Sequence, residues 1–327
     1  MRLSKLSRSK SRAAPVRQPV ADDLIRTYSR LVLITGTSAE GLGAETAISL
    51  AKAQPKLLLL AARSKPKVQT VIDEIESASP GTKVIFIDLD LANQSSIRNT
   101  VNHVKTLGIT IDVLVNNAAV MACPYWKTAD NIEMQFGTNQ VGPFLFTNLL
   151  LKEHLISHGG RIVFVSSSAS VRSPSLLLPP LEDLNYQNGQ TYNPSTAYSV
   201  SKLANVLYAR NLAQLLQKDK ITVLSLDPGS IETPLQRHFT EAARDAAIEQ
   251  AKKDNPNFVM PVRKTLQEGC STQLRAALDP SLDSSSGAFL QDCQIVVHSV
   301  HVEAYGAADK VWKLCEGFVE ETFDFSA

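Results

Sequence analysis

The segment Leu57-Leu-Leu-Leu-Ala-Ala62 carries no polar side chain at any of its six positions. A strand that is apolar on both faces must be covered on both, as happens in a parallel sheet flanked by helices. Further strand-like runs occur at 31–34, 83–90, 111–115, 161–166 and 221–226, with another at 287–290. Between them, helical spacing is read over 41–53, 68–77, 95–107, a long region 132–158, and 198–217. This βαβα succession predicts an α/β chain with a doubly wound parallel sheet. The elements interlock through residue 227, so residues 30–327 are read as one domain.

Two stretches interrupt the rhythm. Residues 169–196 contain Ser-Pro-Ser, Pro179-Pro180 and a polar run over 185–193, which is loop chemistry. Residues 234–262 read as a charged, Ala-rich helix ending near Pro256. After the sixth strand they lie beyond the carboxyl ends of the sheet, where ligands bind. They are either a substrate-covering lid or a solvated helix. Residues 1–29 form a basic extension, with Arg2, Lys5, Arg8, Lys10, Arg12 and Arg17 preceding the first acid, Asp22. No apolar core of a secretory signal follows it. It is read as a flexible tail in a cytoplasmic protein, with organelle targeting as the alternative.

A net charge of +1 argues against a generic polyanion binder, and no nucleic-acid module is evident. No transmembrane segment is expected, because no run is long and apolar enough. Cys123, Cys270, Cys293 and Cys315 lack CxxC spacing, so neither a zinc site nor a disulfide framework is predicted. His298 and His301 could meet on a short helix but read as ordinary polar positions; no metal is expected.

Thr35-Gly36-Thr37-Ser38-Ala39-Glu40-Gly41-Leu42-Gly43 follows the first strand and opens a helix. Glycines there permit a tight turn and close approach by a pyrophosphate, which a helix N-terminus attracts. Two close glycines alone fit a structural turn as well, but between a strand and a helix they favour a dinucleotide site in a Rossmann-type sheet, with Gly36, Ser38, Gly41, Leu42 and Gly43 as the expected contacts. Glu40 is expected to point to solvent, away from phosphates. The second strand ends Ala61-Ala62-Arg63-Ser64, without the carboxylate that an NAD ribose wants. Arg63 can meet a 2′-phosphate, with Lys65 and Lys67 adding positive charge, which favours NADP (NADPH); alternatively Arg63 is a surface residue after a strand. Asp90, read as the end of the third strand, can accept from the adenine amino group, and Leu91 follows it. Asn117 and Ala118, within Asn116-Asn-Ala-Ala119, offer small surfaces for backbone to lie against a flat ligand; standing alone, this motif would be read as turn residues after a strand.

Ser166 and Ser167 end the fifth strand, and Tyr198 and Lys202 share one helix face four residues apart. Free tyrosine, with a pKa of about 10, is a poor base at neutral pH. A nearby ammonium and a cationic nicotinamide favour its phenolate. Tyr198 would protonate a forming alkoxide, Ser167 would orient the carbonyl oxygen, and Lys202 would hold the nicotinamide ribose and tune Tyr198.

With these motifs in order, the chain resembles the classical short-chain dehydrogenase/reductase family over residues 31–233. The resemblance places Ser167, Tyr198 and Lys202 on the catalytic positions. Asn139, in Gly137-Thr-Asn139-Gln-Val-Gly142, falls on the asparagine that supports a proton-relay water. Pro228-Gly229 and Thr233 match the segment that closes over the nicotinamide, where Ile231 should offer its backbone. The nearer likeness is to retinol dehydrogenase-like and fungal carbonyl reductases, through Asn116-Asn-Ala-Ala-Val-Met-Ala-Cys-Pro, Leu181-Glu-Asp-Leu-Asn and Ala197-Tyr-Ser-Val-Ser-Lys-Leu-Ala-Asn205. The long gap from Ser167 to Tyr198 also fits that branch. Four residues separate Gly36 from Gly41 where the family pattern has three, and Ala119 stands where it has glycine. No apolar anchor precedes the first strand, so retinol itself is not the expected substrate.

The expected function is reduction of a ketone or aldehyde on a lipophilic small molecule by an NADP-dependent enzyme, in lipid or secondary metabolism. Residues Val120 to Tyr125, the 169–196 loop and the 234–262 segment are expected to enclose substrate, with Met121, Cys123, Pro124 and Tyr125 making that mouth apolar. The alternatives are an NADP-linked alcohol dehydrogenase working oxidatively and a regulatory cofactor-binding protein without turnover. The family resemblance leaves monomer and homodimer open, the latter through helices 132–158 and 198–217.

Overall fold

The structure is a computed structural model that describes residues 30–171, 183–254, 259–297 and 306–325. The basic extension, His298, His301, residues 172–182 of the loop and Pro256 lie outside the described residues.

Strands β1 (Leu31–Thr35), β2 (Leu57–Ala62), β3 (Val84–Asp88), β4 (Ile111–Asn116), β5 (Ile156–Val165), β6 (Thr222–Asp227), β7 (Phe289–Gln291) and β8 (Gln294–Val296) form one sheet in the order 3-2-1-4-5-6-7-8. Every pairing is parallel except β7 with β8. The helices are α1 (Leu42–Ala51), α2 (Lys65–Ala78), α3 (Gln94–Thr106), α4, α5 (Pro194–Leu215), α6 (Glu241–Asp254), α7 (Leu266–Leu278) and α8 (Ala307–Val319). Helix α4 starts at Met134–Phe136, passes through a π-helical turn at Gly137–Val141, and continues as Gly142–Lys152.

The all-apolar strand β2 sorts its residues by parity, as the two-residue repeat requires. Leu57, Leu59 and Ala61 join one apolar layer with residues of α3, α4, α5 and α8, while Leu58, Leu60 and Ala62 join the other with α1, α2 and α7. The result is a single Rossmann-type α/β domain, as the strand composition predicts. The strand order reverses between β1 and β4, and the carboxyl ends of those strands open the crevice in which such sheets bind ligands.

The long helical region expected over 132–158 is shorter. Glu133 precedes it, its carboxylate accepting from the Gln135 and Phe136 amides. After Lys152 the chain turns: His154 is left-handed (φ +54°), and the Leu155 amide donates back to Leu150 at 2.8 Å. Ile156 then pairs with Ile111 as the first residue of β5. Helix α5 begins at Pro194 rather than Tyr198, because Asn193 caps it by accepting from the Thr196 amide at 2.9 Å and proline is favoured at the first position. Asp90 lies two residues beyond the end of β3.

Candidate active site

The turn after β1 is shaped around Gly36. Its φ is +74°, and a Cβ there would lie 2.7 Å from the Ala118 Cα. Only glycine fits a left-handed position so close to another backbone. Thr35 Oγ1 accepts from the Asn117 and Ala118 amides, each at 3.0 Å. The Asn117 side chain donates to Thr35 O at 2.8 Å and to Gly36 O at 3.2 Å. Asn117 thus ties the ends of β1 and β4 together. The additional residue of the turn is absorbed locally: Glu40 is left-handed (φ +61°) and exposed, and the Gly41 amide donates to Ser38 O at 3.2 Å. No side chain caps α1 at Gly41. Its first amides therefore retain the character of an anion site. Gly43 packs behind the turn against Gly36 and Asn117 rather than on the open face.

Over the switch point lies a cleft of about 1470 Å³. That exceeds the volume typical of a site for one small ligand, and suits a dinucleotide with a substrate. At one end its wall holds Ser38, Gly41, Leu42, Arg63, Lys67, Asp90 and Leu91. Arg63 is exposed, and among the described residues it has no ion-pair partner. Lys65 opens α2. The Asp90 carboxylate accepts from the Ala92 amide at 3.0 Å through one oxygen. The opposite end holds Ser167, Tyr198, Lys202, Pro228, Gly229, Ile231 and Thr233.

Ser166 donates to Lys202 O at 2.7 Å and so fastens β5 to α5, while Ser167 stands on the cleft wall. The Ser167 hydroxyl accepts from the Ala169 amide at 3.2 Å. Lys202 is buried, with Nζ donating to Val165 O at 2.7 Å and lying 5.8 Å from the centre of the Tyr198 ring. Burial pushes the Lys202 pKa down to about 7. Asn139 sits in the π-turn, 1 % exposed. Its side chain accepts from the Val120 amide at 2.8 Å, donates to Val120 O at 2.9 Å and donates to Ser201 at 3.0 Å. Its carbonyl accepts from Asn205 Nδ2 at 2.7 Å. Asn139 therefore lies behind the wall and joins it to α5.

Residues 30–177 match the family model described as short chain dehydrogenase. Human retinol dehydrogenase 11 is 33% identical over 90% of this chain and 86% of its own length. Human retinol dehydrogenase 14 is 34% identical over 89% of this chain and 87% of its own length. A solved structure of a putative uncharacterized protein from Mycobacterium paratuberculosis superposes with a TM-score of 0.65, at 30% identity, covering 92% of this chain and 98% of that one. The chain belongs to the short-chain dehydrogenase family. Within it, the chain falls in the retinol dehydrogenase-like branch of these NAD(P)-linked oxidoreductases.

Several residues that shape this dehydrogenase cleft carry no family motif. Gln135, one turn before Asn139, accepts from the Ala122 amide at 2.9 Å and donates to Pro194 O at 2.9 Å and Tyr192 Oη at 2.7 Å. Tyr192 Oη also donates toward Cys123 O at 3.0 Å and lies 3.2 Å from the Glu133 carboxylate. Glu133 is buried, and desolvation raises its pKa. Gln135 and Asn139 thus grip residues 120–122 and connect them to the helix bearing Tyr198. The signal in sequence was their i, i+4 spacing, which is too common to stand alone. Of the expected mouth, Val120 and Met121 line the cleft. Cys123 is buried, its thiol pKa pushed up to about 11 by desolvation, and Tyr125 packs over Gly189 and hydrogen-bonds Asn185. Both flanks of the expected lid reach the wall, through Leu235 and Phe239 before α6 and Pro261 and Val262 after it. Among the described residues no helix could cross a membrane.

Proposed function

We propose that this chain is an NADP(H)-dependent oxidoreductase that reduces the ketone or aldehyde of a mostly apolar small molecule. The observation that carries this reading is one continuous cleft with Arg63 and Lys67 at one end and Tyr198, Ser167 and Lys202 at the other. The glycine turn, the uncapped start of α1 and the absence of a carboxylate at Ala61 and Ala62 suit a dinucleotide bearing a 2′-phosphate. When bound, the cofactor supplies a hydride to the carbonyl carbon.

Tyr198 gives its phenolic proton to the carbonyl oxygen, so the substrate gains one hydride and one proton and becomes an alcohol. Ser167 donates a hydrogen bond to that oxygen and holds it beside Tyr198. Lys202 stabilises the phenolate that results, which solvent then reprotonates. Asn139 keeps the wall at Val120 in register with α5. Gly36, Ser38, Gly41 and Leu42 cradle the phosphates, with Gly43 shaping the turn from behind. Arg63 binds the 2′-phosphate; Asp90 and Leu91 flank the adenine, and Asn117 and Ala118 back the flat rings. Pro228, Gly229, Ile231 and Thr233 close over the nicotinamide.

Met121, Leu235, Phe239, Pro261 and Val262 give the substrate end an apolar wall. The relatives' names bring the class of lipophilic alcohols and their carbonyls to this chain. Residues 234–262 act as the lid and 169–196 as the substrate loop. The test is oxidation of NADPH and NADH, followed at 340 nm, with a panel of aliphatic and terpenoid ketones and aldehydes and their polar analogues. Turnover with NADPH and the apolar compounds supports the reading. A clear preference for NADH, or for sugars, defeats it.

A further inference from the structure

Asp227 ends β6 on the wall of the cleft and is 2% exposed. Its carboxylate accepts from the Gly229 amide at 3.1 Å and from Gln291 Nε2 at 3.3 Å. The Ser168 amide faces it as well. It therefore sits between the turn that carries Ser167 and the Pro228-Gly229 turn. The charged groups that face it are Lys264 and Asp292. Lys264 forms a salt bridge with Asp292 and donates to Pro228 O at 3.3 Å. That cation and anion pair with each other, so together they add little net charge beside the Asp227 carboxylate. Burial raises its pKa, whereas the two amides and Lys264 favour the ionised form.

A hydride can reach a carbonyl held at Tyr198 only from a ring lying within van der Waals contact of it. The reacting ring of a nicotinamide must then occupy the end of the cleft that Asp227 borders. That ring is cationic when oxidised and neutral when reduced, and a buried anion is screened little by salt. We propose that Asp227 biases this cleft toward the oxidised cofactor, a role that rests on the cofactor reading above.

The test measures dissociation constants of NADP⁺ and NADPH separately, by calorimetry, for the wild type, Asp227→Asn and Lys264→Met. Asparagine keeps an acceptor for Gly229 while removing the charge. Asp227→Asn is expected to weaken NADP⁺ relative to NADPH by about tenfold. Lys264→Met removes the opposing cation, and should move the ratio severalfold the other way. It carries the test even where Asp227→Asn does not fold. Ratios unmoved in whichever variants fold overturn this inference while leaving the cofactor reading intact. A wild type that binds neither form overturns both.

Discussion

Lys202 Nζ lies 5.8 Å from the centre of the Tyr198 ring, with its hydrogen bond directed to Val165 O at 2.7 Å. One helical turn sets the pair's spacing, and the carboxyl end of β5 anchors the amine. A cation at that range favours the phenolate of its neighbour.

Replacing Tyr198 with phenylalanine keeps the ring beside Lys202 and removes the transferable proton. Turnover is expected to fall by about 10²–10⁴, the usual contribution of a positioned acid. NADPH affinity, read by quenching or calorimetry, should stay within a few-fold of wild type. Equal turnover in the two proteins would remove Tyr198 from the mechanism.

The depressed pKa of Lys202 has a consequence for stability. Its ordinary value is 10.5, and burial brings it to about 7. Below pH 7 both folded and unfolded chains hold the proton, and the full penalty of burying the charge is present. Between about 7 and 10.5 the unfolded chain binds the proton and the folded one releases it, so this residue's contribution to stability rises with pH. Urea midpoints of wild type and Lys202→Met, compared from pH 6.5 to 9.5, should diverge in slope, the wild type climbing more steeply. Parallel curves would mean that Lys202 keeps an ordinary pKa in the folded protein.

At the other end of the cleft, Arg63→Ala removes the exposed cation that follows Ala61 and Ala62, the positions where an NAD site would carry a carboxylate. A charge-assisted hydrogen bond contributes about 1.5–3 kcal/mol. The preference for NADP⁺ over NAD⁺ should therefore fall by about tenfold or more, measured as a ratio of dissociation constants. An unchanged ratio would make Arg63 a surface residue after a strand.

Strands β1, β2, β4 and β6 were legible because both of their faces are buried, and an all-apolar run as short as Leu57–Ala62 suits a covered parallel strand better than a surface element. Tyr198 and Lys202 were legible because chemistry fixes their types and the helix fixes their spacing. The end of α4 was not, since Leu149-Leu-Leu and Ile156 are equally apolar and the break depends on the left-handed His154. Helix α8 went unread although Ala307, Val311, Trp312, Cys315 and Val319 recur at helical intervals and are buried. It lies after the last expected strand, where no alternation called for it. Helix α7 escaped too, yet it delivers Gln273, which donates to Asn117 at 3.3 Å and accepts from Thr46 at 2.6 Å. Buried amides of this kind have no local pattern, because their partners come from distant parts of the chain.

The same holds for Tyr192, whose hydroxyl meets Gln135, Cys123 O and Glu133 behind the wall of the cleft. Tyr192→Phe keeps the ring contacts with Tyr125 and Tyr186. It leaves Gln135 Nε2 with Pro194 O alone and Cys123 O without this donor. Loss of a buried hydrogen-bond partner costs about 1–3 kcal/mol, so the thermal midpoint should drop by a few degrees. If this hub sets the start of α5 against residues 120–123, KM for bulky apolar carbonyls should rise severalfold while NADPH affinity stays constant, because Arg63 and the glycine turn are remote from it. A variant that loses stability with an unchanged KM would reduce Tyr192 to a packing residue. A parallel loss of NADPH affinity would place its effect at the opposite end of the cleft.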